Sequence, residues 1–171
     1  MEHVIRTTWN GTAVDPSHWV RIGLERDGGG LGIAIDAPLY ADPAPAAPAG
    51  PTDGLWAFEV VELFVLGTGR RYLEVEMGPH GHYLVLLLEG KRNVIDRMLP
   101  MSYTARILGS RWQCTARVPA ACLPRGADSG NAYAVHGPPG HRAHLALYPL
   151  GGAVPDFHRL GDFGPLLDGT A

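Results

Sequence analysis

The residues best suited to chemistry cluster in Tyr72 to Leu88, YLEVEMGPHGHYLVLLL. Glu74 and Glu76 stand two apart, and His80 and His82 follow, also two apart. Another acid, Glu62, lies inside the preceding run EVVELFVL, which Glu59 opens. Carboxylates and imidazoles this close together suit three kinds of chemistry. The acids can accept hydrogen bonds from a polar ligand. Two of them can act as acid and base on a glycosidic bond. With the histidines they can hold a metal. The face of the element that each side chain occupies decides among these.

The elements are strands. Period-2 alternation recurs along the chain, and long 3.6-period stripes are absent. The pattern predicts strands over 17–25, 30–36, 59–66, 72–77, 82–88, 103–108, 111–118, 131–136 and 143–149. About nine or more strands with regular turn signals give an all-β fold, an antiparallel β-sandwich or barrel. DGGGLG, Asp27 to Gly32, joins two strands with no helix after it, so it is a hairpin turn and not a phosphate cradle. The Pro- and Ala-rich stretch 41–52 has only about 40 residues before it, too few for a separate domain. It is therefore read as a surface loop within a single domain spanning 1–171.

Alternation then assigns faces. Val60, Glu62 and Phe64 share one side of their strand; Glu59, Val61, Leu63 and Val65 share the other. Leu73, Val75 and Met77 make an apolar core face, and Tyr72, Glu74 and Glu76 point away from it. If the two strands are neighbours, Glu62 or Glu59 joins Glu74 and Glu76 in one acidic patch. That patch is either a ligand surface or a solvated face balanced by Arg106 and Arg117. The histidines fit less well. Pro79 and Gly81 place His80 inside a turn. A two-residue turn sets His82 opposite Met77, and a three-residue turn sets it opposite Gly78. Neither register puts it across from a glutamate, so no metal site is predicted.

Other residues sort similarly. Trp112 alternates with Cys114, Ala116 and Val118 and belongs to the core, whereas Trp56, after a glycine turn, is the best stacking platform. Cys114 is expected as a buried thiol, without a disulfide to Cys122. His136, His141, Arg142 and His144 fall in or beside the Pro/Gly loop HGPPGHRAH and are placed at one end of the sandwich; His158 and Arg159 are read as tying down the C-terminal segment.

Composition removes whole classes of function. The 171 residues are 46% hydrophobic and 18% charged, as in a soluble globular protein. Net charge is −3 without a basic stripe, which argues against nucleic acid. No apolar run reaches the length of a signal peptide core or a membrane span, so a cytoplasmic location and no membrane partner are expected. There is no G-x-S-x-G, P-loop or C-x-x-C. Oligomeric state is not legible.

Three stretches resemble a known family. DGLWAFEVVELFV (Asp53 to Val65), the acid-bearing strand Tyr72-Leu-Glu-Val-Glu with its Pro79-His80-Gly81 turn, and PDFHRLGDFGPLL (Pro155 to Leu167) are similar, in order, to motifs of family 9-type carbohydrate-binding modules. Those modules belong to the wider DOMON-like group; Leu160 stands where that family usually has proline. The resemblance implies a jelly-roll-like sandwich that grips a small sugar or sugar-like ligand without catalysis and needs no cofactor. The expected contacts are Trp56, Glu62, Tyr72, Glu74, Glu76, Arg106, Arg117 and His144. Two alternatives stay open: a glycoside-acting enzyme using Glu62 with Glu74 or Glu76, and a metal- or haem-binding DOMON-like module using Met77 and a histidine.

Overall fold

The computed structural model describes residues 1–168. Its strands are β1 (Glu2–Ile5), β2 (Thr7–Thr8), β3 (Val20–Asp27), β4 (Gly30–Pro38), β5 (Gly50–Pro51), β6 (Val60–Leu66) and β7 (Arg71–Met77). They continue with β8 (His82–Glu89), β9 (Val94–Arg97), β10 (Ser102–Leu108), β11 (Arg111–Pro119), β12 (Ser129–His136), β13 (Ala143–Ala146) and β14 (Gly164–Pro165). The only helices among the described residues are five single 3-10 turns, none of them able to cross a membrane.

The strands form two sheets, as an antiparallel sandwich requires. The smaller has the order β1-β3-β4-β11-β10; the larger runs β2-β13-β12-β6-β7-β8-β5, with β9 on β8 and β14 on β12. Every predicted strand is present. The short β1, β2, β5, β9 and β14 were not predicted, because two to four residues are too few to establish a period. The first predicted strand loses its opening residues: Asp15 caps a 3-10 turn over Pro16–His18, accepting from the Ser17 amide at 2.9 Å. The last ends at Ala146, short of Pro149.

The inner faces meet as alternation dictates. Val20, Ile22, Leu24, Ile33, Ile35, Trp112, Cys114 and Val118 from the smaller sheet pack on Val61, Leu63, Val65, Leu73, Val75 and Met77 from the larger. Cys114 is a buried free thiol and Cys122 is also free. Met77 is sealed in this inter-sheet core, away from the face that carries the glutamates.

The larger sheet is packed on its outer face as well. Val60, Phe64, Tyr72, Leu84, Leu86, Leu88, Tyr133 and Val135 form a second buried cluster, covered by Leu55, Trp9, Phe58, Val94, Phe157, Leu160 and Phe163. This overturns the solvated-face reading of Tyr72, Glu74 and Glu76. The physical reason lies in β8, whose run LVLLL has no polar alternate. A strand apolar on both sides has to be covered on both sides.

Register at the hairpin is settled. Met77 pairs with Tyr83 and Glu76 with Leu84, and the Gly78 amide donates to the His82 carbonyl at 2.9 Å. Pro79-His80-Gly81 is thus a three-residue turn, with Gly81 at φ 85° in the left-handed region. His82 is buried and its Nε2 lies 2.9 Å from the Ala47 carbonyl oxygen. The Pro-rich loop is held down by this contact and by β5, which runs parallel to the start of β8.

Two substitutions test this packing. Trp112→Ala should cost about 3–5 kcal/mol in chemical denaturation, because a buried aromatic leaves a cavity that the sheets cannot close. Gly130→Ala should also destabilise, because its Cβ would fall 1.9 Å from the Phe64 carbonyl oxygen. An unchanged midpoint in either variant would contradict the packing described.

Candidate functional site

A cleft of about 480 Å³ opens on the outer face of the larger sheet, where the covering layer is incomplete. Its floor comes from strand residues: Glu62 on β6, Glu74 on β7, Leu88 on β8, and Val135 and His144 on β12 and β13. Its walls come from the cover: Trp56, Arg92, Val94, Arg142, Pro155, Phe157 and His158.

Strand pairing places the acids. Glu62 sits directly across from Glu76, and Glu74 is two residues along β7 on the same side. Side chains opposite one another across strands have Cβ atoms about 5 Å apart, and diagonal neighbours about 7–8 Å. The three carboxyls are therefore one group. Glu62 is 3% exposed, Glu74 5% and Glu76 0%. Glu59 faces the other way from Glu62 and accepts from the backbone amides of Tyr40 and Asp42 at 3.0 and 3.3 Å, so it does not join them.

Burial dominates the titration of this group. It pushes Glu76 up to about 10, reinforced by the charges of Glu62, Glu74 and Asp53 and opposed by the nearby Trp56 amide. It pushes Glu74 up to about 7, against the pull of Arg92. Glu62 is raised well above the carboxylate range by burial and by Glu74, with Arg142 opposing. Two like charges about 5 Å apart repel by about 3 kcal/mol at an effective dielectric near 20, so the Glu62–Glu76 pair does not hold two charges at neutral pH. Neither Glu76 carboxyl oxygen has a hydrogen-bond partner.

The walls are held by specific contacts. Asp156 bridges Lys91 at 2.6 Å and Arg92 at 3.0 Å. Burial pushes the Asp156 carboxyl up, but these two partners outweigh it and hold it at about 2. The Arg92 amide donates to the Tyr72 hydroxyl at 3.2 Å, and that hydroxyl lies 2.7 Å from His158 Nδ1. A neutral imidazole accepting the phenol hydrogen satisfies all three groups. Burial and Arg92 agree with that assignment, holding the His158 imidazole down at about 4. Phe157 stacks flat on Tyr133, with centroids 3.9 Å apart. On the opposite wall, Arg142 donates to the carbonyls of Ala57 and Phe58. It thereby fixes the 3-10 turn Leu55–Ala57 that carries Trp56, whose side chain stays 50% exposed.

Of the residues expected from sequence, Trp56, Glu62, Glu74 and His144 share this cleft. Glu76 and Tyr72 lie beneath it, fully buried. Arg106 and Arg117 stand apart. Both are on the smaller sheet, where Arg106 donates to Gln113 at 3.0 Å and Arg117 pairs with Asp27. They cannot balance the glutamates, because the whole inter-sheet core lies between. Arg92, Val94 and Phe157 were missed. Their signal was weak: Arg92 and Phe157 lie in loops, and Val94 opens the four-residue β9, too short to establish a period, so no face could be assigned. Among the described residues, no three His, Cys, Asp or Glu side chains are grouped to hold a metal ion.

No family model matches the chain. Its sequence is 42% identical over 172 residues to the UPF0462 protein C4orf33 homolog of Danio rerio, covering 95% of this chain and 87% of that protein. It is 40% identical to the Mus musculus homolog over 174 residues, covering 96% and 90%. The Homo sapiens UPF0462 protein C4orf33 is 39% identical over 172 residues, covering 95% and 86%. In structure, the chain is similar to a candidate carbohydrate-binding protein from Bacteroides uniformis, with TM-score 0.73, 16% identity and coverage of 96% and 84%. It is also similar to a family 9 carbohydrate-binding module from Caldicellulosiruptor kristjanssonii, solved with cellotriose, with TM-score 0.54, 11% identity and coverage of 86% and 72%. At these identities the likeness is one of fold. It supports a fold like that of carbohydrate-binding modules, without pointing to the wider DOMON-like group in particular.

The buried acids make stability depend on pH. Each binds its proton more tightly in the folded chain than in the unfolded one. Their stabilising effect is therefore full below the ordinary carboxylate range and declines as pH rises, through about 7 for Glu74 and about 10 for Glu76. Glu76→Gln, which has no proton to lose, should flatten the fall in melting temperature between roughly pH 6 and 9. Parallel curves for the two proteins would refute the assignment.

Proposed function

The chain belongs to the UPF0462 family, and we propose that it is a single-domain, noncatalytic module that binds a small sugar or sugar-like ligand in the outer-face cleft. The observation that carries this reading is the state of Glu62 and Glu74. Both carboxyls line the cleft, both are almost fully buried, and neither takes a hydrogen bond from a protein donor among the described residues. Buried polar groups without partners are costly and are normally satisfied. Sugar hydroxyls supply donors at the required density. The half-exposed Trp56 ring and Phe157, which lines the cleft, offer apolar surface to sugar C–H groups. The fold shared with carbohydrate-binding modules supports the same reading.

A second reading, glycoside hydrolysis by Glu62 and Glu74, draws on the same two groups. A carboxyl held at about 7, like that of Glu74, suits a general acid. Against it, burial and the charge of Glu74 raise Glu62 too, which disfavours the ionised carboxylate that a base or nucleophile requires. Turnover of aryl glycosides that vanishes in Glu62→Gln would establish hydrolysis and displace the binding module.

A glycan array followed by calorimetry tests the binding reading; no signal on any mono- or oligosaccharide would remove it. With a ligand in hand, Trp56→Ala should weaken binding roughly three- to tenfold, the worth of one aromatic contact. Because Trp56 is half exposed, the melting temperature should stay close to that of the parent. Unchanged affinity in Trp56→Ala would take the aromatic platform out of the site.

A further inference from the structure

The cleft floor is more acidic than a site for neutral hydroxyls requires. Two carboxyls, Glu62 and Glu74, line it above a third, Glu76, and among the described residues no lysine or arginine forms an ion pair with any of them. The two arginines at its rim hydrogen-bond elsewhere, Arg92 to Asp156 and Arg142 to the backbone carbonyls of Ala57, Phe58 and Gly137, so their charges act on Glu74 and Glu62 only across space. Glu76, fully buried under the floor, has two carboxyl oxygens with no partner in hydrogen-bonding geometry, the Trp56 amide being the backbone group that influences it. In the other titratable groups facing the cleft, His144 and His158, burial and the arginines beside them disfavour the cationic form that would oppose an ammonium.

Resting on the sugar-binding reading above, we propose that the preferred ligand is an amino sugar, seated with its ammonium group on Glu62 and Glu74. An ammonium brings three hydrogen-bond donors and no acceptor, which suits the two carboxyls of the floor once they are ionised. It also supplies the counter-charge for the carboxylate that forms on binding, in surroundings where a paired charge interacts more strongly than in water. The proton balance follows. The amine keeps its proton, and the carboxyl that pairs with it gives up its own to solvent, so binding releases protons wherever the cluster is still protonated. Below the range in which Glu74 titrates the carboxyls stay protonated, and the preference for the amine should shrink.

Calorimetry on matched probes decides this: glucosamine, galactosamine and mannosamine against their neutral parent hexoses and their N-acetyl forms, at pH 7.5 and pH 5. One amino sugar is expected to bind at least about tenfold more tightly than its neutral counterparts at pH 7.5, equivalent to about 1.4 kcal/mol. The advantage should narrow at pH 5 and in Glu74→Gln, and the heat should vary with the buffer's ionisation enthalpy. Equal affinity for an amino sugar and its parent would overturn this inference while leaving sugar binding intact. Tighter binding of an N-acetyl form would do the same. No binding of any probe, amino or neutral, would overturn both.

Discussion

The middle strands of the larger sheet, β6, β7 and β8, are packed on both sides, and the rest of the structure follows from that double burial. Their inner side chains meet the smaller sheet in an ordinary sandwich core. Their outer side chains would be half-solvated in most antiparallel sheets, but here they lie under a second apolar layer. Glu62, Glu74 and Glu76 alternate with core residues, so when the outer face is covered they are taken out of water with it. Moving a charged carboxylate into such a place costs more than protonating it. The acids accordingly hold their protons far above the usual range. A solvated acidic patch and a buried acid cluster have the same sequence; the covering layer makes the difference.

That layer is assembled from loops and from the C-terminal segment, and polar contacts locate it. Asp156 between Lys91 and Arg92 fastens the segment to the turn after β8. Tyr72, reached by the Arg92 amide above and His158 beside it, ties the same two pieces to the sheet. Arg142 fastens the turn that carries Trp56. Between these fastenings the cover leaves a gap, and the gap is the cleft. A site built this way has a rigid floor and walls set by a few hydrogen bonds. Its polar groups are held in place by the protein's own contacts.

The fold persists where sequence does not, with 16% identity to the Bacteroides uniformis protein at a TM-score of 0.73. A sandwich needs alternation and turns, and many sequences meet that need. The site is more demanding. It needs acids at particular pairing positions, an aromatic ring on a pinned turn, and a C-terminal segment long enough to cross the sheet. Fold likeness therefore says little about a ligand; what a ligand would meet is set by this chain's own carboxyls.

Much of this molecule was readable from sequence. Alternation gave the long strands, the inner core with Trp112 and Cys114, and the common side of Tyr72, Glu74 and Glu76, because side-chain direction in a strand has a fixed period of two. The unbroken apolar run of β8 also carried the signal that its outer face is covered, although in isolation it read as one half of a hairpin. Three facts came only with the tertiary structure. Pairing of β6 with β7 chose Glu62 over Glu59. Sheet membership removed Arg106 and Arg117. The path of the C-terminal segment brought Phe157 and His158 over the acids. Period fixes which way a side chain points along its own strand. What it then meets depends on contacts between residues far apart in the chain, and no local pattern encodes those.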